Sequence, residues 1–147
     1  MVPQRLTLVT LGVADVAASR RFYEGLGFRA ADVDSVDVAF FDMNGVLLGL
    51  FGRKDLAEDA AVAVETGGAG ARVSLAINLD SEAAVDAAMA FAAEKGGRVT
   101  QPARKVFWGG YAGYFADPDG FLWEIAYNPF WPLDEHGRPQ LPPPRTE

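Results

Sequence analysis

An α+β fold built from two βαβββ modules is what this sequence predicts, and three observations carry the prediction. The chain has 147 residues, 50% of them from the set AVILMFWYC and 22% charged, which suits one ordinary folded domain with a core. Strand-length apolar runs alternate with helical periodicity in each half of the chain. The halves also repeat one another, with Leu8 falling on Ser74 and Asp42-Met43-Asn44-Gly45 falling on Asp117-Pro118-Asp119-Gly120. Each half alone is too small to bury its sheet, so a duplication of this kind points to paired modules.

Residues 6–13, Leu-Thr-Leu-Val-Thr-Leu-Gly-Val, are apolar and β-branched over the length of a strand. Asp15 ends the strand and caps a helix. Val16, Ser19, Phe22, Tyr23 and Leu26 fall near one helical face, and Gly25 and Gly27 supply the stop. Residues 36–41 and 46–51 flank Asn44-Gly45, a strong hairpin signal, and a further strand is expected near 28–33. The charged stretch 54–59 reads as a solvated helix or loop.

Thr66-Gly67-Gly68-Ala69-Gly70 has the composition of a flexible linker. It lacks the Lys-Ser/Thr of a phosphate loop. A strand is expected over 72–79, and Ser81 caps a helix in which Val85, Ala88, Met89 and Ala92 keep helical spacing up to Gly96-Gly97. Strands at 98–100, 106–115 and 121–127 complete the second half. The resulting division is a first module at 1–66, a linker at 67–70, a second module at 71–128 and a Pro-rich tail at 129–147. The tail is expected to be extended and non-helical, with Phe130, Trp131 and Leu133 apolar enough to pack against a module or a partner subunit.

Thirteen Lys and Arg against twenty Asp and Glu give a formal charge of −7, so the positive field that gathers nucleic acid is missing. With no Cys and a single His, His136, thiolate nucleophiles, disulfides, thiolate-bound metals and an all-histidine metal cluster are excluded. His136 reads as a surface turn residue. No apolar run approaches the roughly 20 residues of a spanning helix, and residues 1–5 do not read as a secretory signal. A cytoplasmic protein that binds neither nucleic acid nor membrane is expected.

Three segments then resemble the vicinal oxygen chelate superfamily, which groups glyoxalase I, bleomycin resistance proteins and extradiol dioxygenases. They are Leu8 through Asp15 (LVTLGVAD), Phe22 through Phe28 (FYEGLGF) and Asp117 through Ile125 (DPDGFLWEI). The resemblance implies paired βαβββ modules forming a U-shaped mixed sheet around a cavity, glyoxalase-like, usually in a homodimer. It also places the metal ligands of the family's enzymes at four positions, which here are Leu8, Gly49, Ser74 and Glu124. Only Glu124 offers a strong ligand, because two of the others have no ligating side chain and a neutral serine hydroxyl is weak. A member with no metal and no cofactor is implied.

Glu124 is the sharpest candidate: a carboxylate set in a strand between Trp123 and Ile125 can bind a cation or, with a raised pKa, move a proton. It can equally pair with Arg72, Arg104 or Lys105. The segment 107–115 interleaves five aromatic residues with glycines, which lets rings and backbone approach a flat ligand, or simply fills a core. Counting back from the turn at 117–120 sets Gly113 opposite Glu124, and hence Tyr111 and Phe115 on the carboxylate's face. Glu124, Trp108, Tyr111, Phe115 and Ser74 are therefore the expected ligand-binding residues. The expected function is binding of a small, partly aromatic or cationic molecule, with antibiotic sequestration as one form of it. The alternative is a lyase, isomerase or dioxygenase-like enzyme using Glu124 as base or metal ligand.

Overall fold

A computed structural model describes residues 4, 6–64 and 73–141. The chain divides into two compact units, Met1–Gly68 and Ala69–Glu147. The Gly-rich linker at 67–70 lies outside the described residues.

In the first unit β1 (Leu8–Val13) leads into α1 (Val16–Gly25), followed by β2 (Val38–Asp42), β3 (Leu47–Gly52) and α2 (Arg53–Asp59). The central strand β3 runs parallel to β1 and antiparallel to β2. Asp15 is extended and its carboxylate accepts the Ala18 N–H at 2.9 Å, satisfying a donor that the first helical turn leaves open. The β2–β3 turn needs two left-handed residues, and Asn44 (φ 65°) and Gly45 (φ 111°) supply them. One face of α1 buries Phe22 and Tyr23 against Phe41, Leu48 and Leu50 of the sheet. Tyr23 is 0% exposed, and its ring lies 5.2 Å from that of Phe22, 5.8 Å from Phe28 and 5.9 Å from Phe41. The charged stretch after β3 is helical, with Ala57 buried.

The strand expected near 28–33 shrinks to a single bridge, Ala30 with Phe41. Asp32, Asp34, Ser35 and Asp37 come after it, and such residues favour local turns over ladders. The chain accordingly closes short bonds, Val33 N–H to Ala31 O and Ser35 N–H to Val33 O.

Among the described residues, the Ser19 hydroxyl on α1 is a buried side-chain oxygen with no hydrogen-bond partner. A buried unsatisfied hydroxyl costs about 1–3 kcal/mol, and alanine is also the better helix former. Ser19→Ala is therefore expected to stabilise the protein by about 1–2 kcal/mol. Urea unfolding checks this, and a lower midpoint for the variant would contradict it.

The second unit repeats the pattern with an added strand: β4 (Ser74–Leu79), α3 (Glu82–Glu94), β5 (Arg98–Lys105), β6 (Tyr111–Ala116) and β7 (Leu122–Tyr127). Its sheet order is β4-β7-β6-β5, with β4 parallel to β7. Ser81 caps α3 by accepting the Ala84 N–H. Val85, Met89 and Ala92 are the buried face of that helix. Two expected boundaries move. β5 continues through Pro102 to Lys105, because as the edge strand it has a free side on which a missing N–H is tolerated. Residues 106–110 leave the strand for a turn, in which Val106 N–H bonds Gly110 O and Gly109 N–H bonds Val106 O, with Gly109 at φ 92°.

The described part of the tail, 129–141, is non-helical but not extended, and residues 142–147 lie outside the described residues. An antiparallel bridge joins Leu133 to Pro139, Gly137 sits at φ 76°, and the Asp134 carboxylate accepts the N–H groups of His136 and Arg138. Those bonds hold the Asp134 carboxyl below the usual aspartate range. His136 thus stands in a surface turn beside Glu135. Phe130 lies against Gly109 of the same unit yet stays 68% exposed.

Candidate functional site

Strand alternation divides the side chains of the second sheet between two faces. One is covered by α3: Met89 reaches the position where Gly113 would carry a Cβ, and Tyr111 donates its hydroxyl proton to Asp86 of α3 at 2.8 Å. Phe115 and Trp123 are directly opposed on this face, with their rings stacked 6.5 Å apart at 7°. The other face carries Glu124.

The register corrects the expected neighbours of Glu124. Its partner on β6 is Tyr114, while Gly113 stands opposite Ile125 and Phe115 opposite Trp123. Tyr111 and Phe115 therefore belong to the helix-covered face, where Phe115 is core. A one-residue slip moves every side chain to the other side of a sheet, and its source is the turn. Asp117 N–H bonds Phe121 O, and the buried Asp117 carboxylate accepts the N–H groups of Asp119 and Phe121. Five residues, 117–121, are thereby held between Ala116 and its partner Leu122.

Ser74 shares the Glu124 face, since it pairs Leu122 as Ala76 pairs Glu124. Trp108 does not join this row. It sits in the turn before β6 with its ring folded over Gly110. Tyr114 is the residue that sequence reasoning missed, because the number of residues held in the turn decides which β6 residue faces Glu124.

Tyr114 stands directly opposite Glu124 on the same face of the sheet. Partial burial first, then the charge of Glu124 and, least, hydrogen bonding to its carboxylate raise the phenol above the ordinary tyrosine value. Both side chains are half-buried. Around them the face is small: Ala76 flanks Glu124 on β4, and Ala112, Ala116 and Ala126 are buried on the adjoining strands. Among the described residues no Lys or Arg pairs with Glu124. Lys105, one of its expected partners, instead reaches Glu82 at 2.7 Å.

The phenol keeps its proton longer in the folded state than in the unfolded chain. Stability from this pair is complete below the ordinary tyrosine pKa and is lost as pH rises past it through the folded value. Glu124→Gln is expected to bring one tyrosine of the four back toward ordinary titration, leaving Tyr111, raised chiefly by its hydrogen bond to Asp86, unmoved. An alkaline ultraviolet difference titration reads this, and superimposable curves for the two proteins would refute it.

In the first unit, the two positions at which a metal ligand is implied are apolar. Gly49 is buried, and a Cβ there would meet Leu8 Cδ1 and Phe40 Cε1, each at 3.2 Å. The glycine leaves room for the side chains of Leu8 and Phe40. Ser74 adds only a hydroxyl in the second unit, and a catalytic zinc needs three protein ligands. The residues present do not fit the metal. Among the described residues, no group of three or more His, Asp or Glu side chains is placed to hold one, and no helix is long and apolar enough to cross a membrane.

The comparisons with known proteins agree on the fold. The model of the Glyoxalase/Bleomycin resistance protein/Dioxygenase superfamily matches residues 5–125. A glyoxalase-related enzyme from Fulvimarina pelagi is 37% identical, with a TM-score of 0.85 over 95% of this chain and 99% of that one. A glyoxalase/bleomycin resistance protein/dioxygenase from Nocardioides is 25% identical, with a TM-score of 0.74 over 86% and 85% of the two chains. Lactoylglutathione lyase from Agrobacterium tumefaciens, 20% identical with a TM-score of 0.64 over 86% and 95%, shares the fold alone. No curated protein matches.

Proposed function

Since the chain belongs to the glyoxalase/bleomycin resistance protein/dioxygenase superfamily yet has Leu8, Gly49 and Ser74 where the resemblance implies metal ligands, we propose that it binds a small, partly aromatic or cationic molecule through Glu124 and Tyr114, without a resident metal. The observation that carries this reading is a half-buried carboxylate with a phenol directly opposite it across the strands and, among the described residues, no cation paired with it. A carboxylate has about four lone-pair sites, so one phenol leaves acceptor capacity for an ammonium or N–H of a ligand. Sequestration of a cationic antibiotic is one use of such a site.

The test begins with a native mass spectrum of protein purified without chelators, which reads retained ligand, metal and subunit number together; a dimer is expected. Calorimetric titration then compares cationic and neutral aromatic compounds, bleomycin among the former. Glu124→Gln is expected to weaken the cationic ligand tenfold or more, about 1.4 kcal/mol, and the neutral one much less. A stoichiometric divalent metal, or equal affinities in wild type and variant, would overturn the reading.

A second reading is favoured by the same juxtaposition of phenol and carboxylate and by the relative described as an enzyme. Glu124 acts as general base while Tyr114, held neutral, supplies a proton. Removing a positioned base lowers turnover by about 10²–10⁴, whereas binding would stay within about tenfold. Unchanged turnover in Glu124→Gln removes this reading.

A further inference from the structure

The edge strand β5 sets eight residues against six of β6, and the ladder takes up the difference in two bulges. Arg98 stands opposite Ala116 and Val99 opposite Phe115; the register then steps to Gln101 opposite Tyr114 and again to Arg104 opposite Ala112. In an unbulged ladder continuing from Arg98, Thr100 would stand opposite Tyr114 and Pro102 opposite Ala112, with Arg104 beyond the start of β6. The bulges thus replace a short hydroxyl and a proline by a carboxamide and a guanidinium, on the face that carries Tyr114 and Glu124. Bulges beside functional sites re-aim side chains in this way.

Arg104 is exposed, and among the described residues it has no ion-pair partner. Its neighbour Lys105, on the opposite face, is the residue engaged with α3 through Glu82. β5 and β7 flank β6, so their backbones lie about 10 Å apart at a strand spacing of about 4.8 Å. That span separates a positive group from a negative one along a single sheet face.

We infer that Gln101 and Arg104 form an oxyanion-recognising rim, so that the ligand of the Glu124–Tyr114 pair is a compact zwitterion, its amine at Glu124 and its carboxylate or phosphate at Arg104. This inference rests on the proposed binding function and narrows its ligand class. An arginine recognises a planar carboxylate through two parallel N–H donors. A ligand with an amine alone leaves Arg104 idle. One with a carboxylate alone meets the repulsion of Glu124.

Three probes separate the contributions: 4-(aminomethyl)benzoate with both charges, benzylamine with the cation only, and 4-methylbenzoate with the anion only. Wild-type protein is expected to bind the zwitterion about tenfold more tightly than benzylamine. Arg104→Gln removes that advantage and leaves benzylamine unchanged, Arg104→Lys restores part of it, and Glu124→Gln weakens both amines. Equal affinity of wild type and Arg104→Gln for the zwitterion, with benzylamine still dependent on Glu124, overturns the rim and leaves the proposed function standing. Arg104-dependent binding of 4-methylbenzoate, with no binding of benzylamine, upholds the rim and overturns the cation reading. Binding of none of the three overturns both.

Discussion

Tyr23→Ala is expected to lower stability by about 3–5 kcal/mol, the range for truncating a buried aromatic. The ring is wholly enclosed and touches three other aromatics, Phe22 from its own helix, Phe28 from the chain after it and Phe41 from β2. One side chain therefore ties α1 and the segment after it to the sheet. Truncation forfeits the transfer free energy and leaves a cavity that three rigid rings cannot collapse to fill. Tyr23→Phe keeps the ring and is expected to stay within about 1.5 kcal/mol. Chemical denaturation of the two variants measures the difference. A Tyr23→Ala protein unfolding at the wild-type midpoint would show that the aromatic cluster does not carry the first unit.

The second large effect joins stability to the site. A Cβ added at Gly113 would stand 2.9 Å from the Ala103 backbone nitrogen, 3.0 Å from its Cα and 3.0 Å from Met89 Cε. Methionine yields easily, but the β5 backbone does not. Gly113→Ala therefore forces β6 and β5 apart, at the cost of about 1–3 kcal/mol typical of overpacking. Tyr114 is the next residue, so the displacement also shifts it relative to Glu124, the residue opposite it on β7. The expected signature is a lower denaturation midpoint together with a tyrosine returned toward ordinary alkaline titration. Loss of stability with Tyr114 still raised would mean that the strain is absorbed by β5 alone.

Local chemistry made most elements legible. Asp15 and Ser81 announce their helices because a capping side chain acts within three residues of itself, and Asn44-Gly45 announces its hairpin because only left-handed residues close it. The unread parts depend on contacts made elsewhere in the chain. Which side of β6 meets Glu124 turns on the buried carboxylate of Asp117, whose bonds to Asp119 and Phe121 decide how many residues the turn holds. The strand expected over 98–100 runs on to Lys105, and nothing local reveals that it would be an edge on which Pro102 is tolerated. Glu124 was legible from strand position and charge; its partner Tyr114 was not, because pairing shifts with every residue in a loop.

The irregular course of β5 also bears on how the chain behaves when concentrated. A regular edge strand presents an unbroken row of backbone donors and acceptors on which another molecule's strand can grow. In β5 that row is interrupted at two places and lacks the N–H of Pro102, and Arg98, Arg104 and Lys105 add like charge along it. Strand-by-strand polymerisation from this side of the sheet is therefore suppressed, and the same departures from regularity that arrange the polar rim also protect the protein against fibre formation.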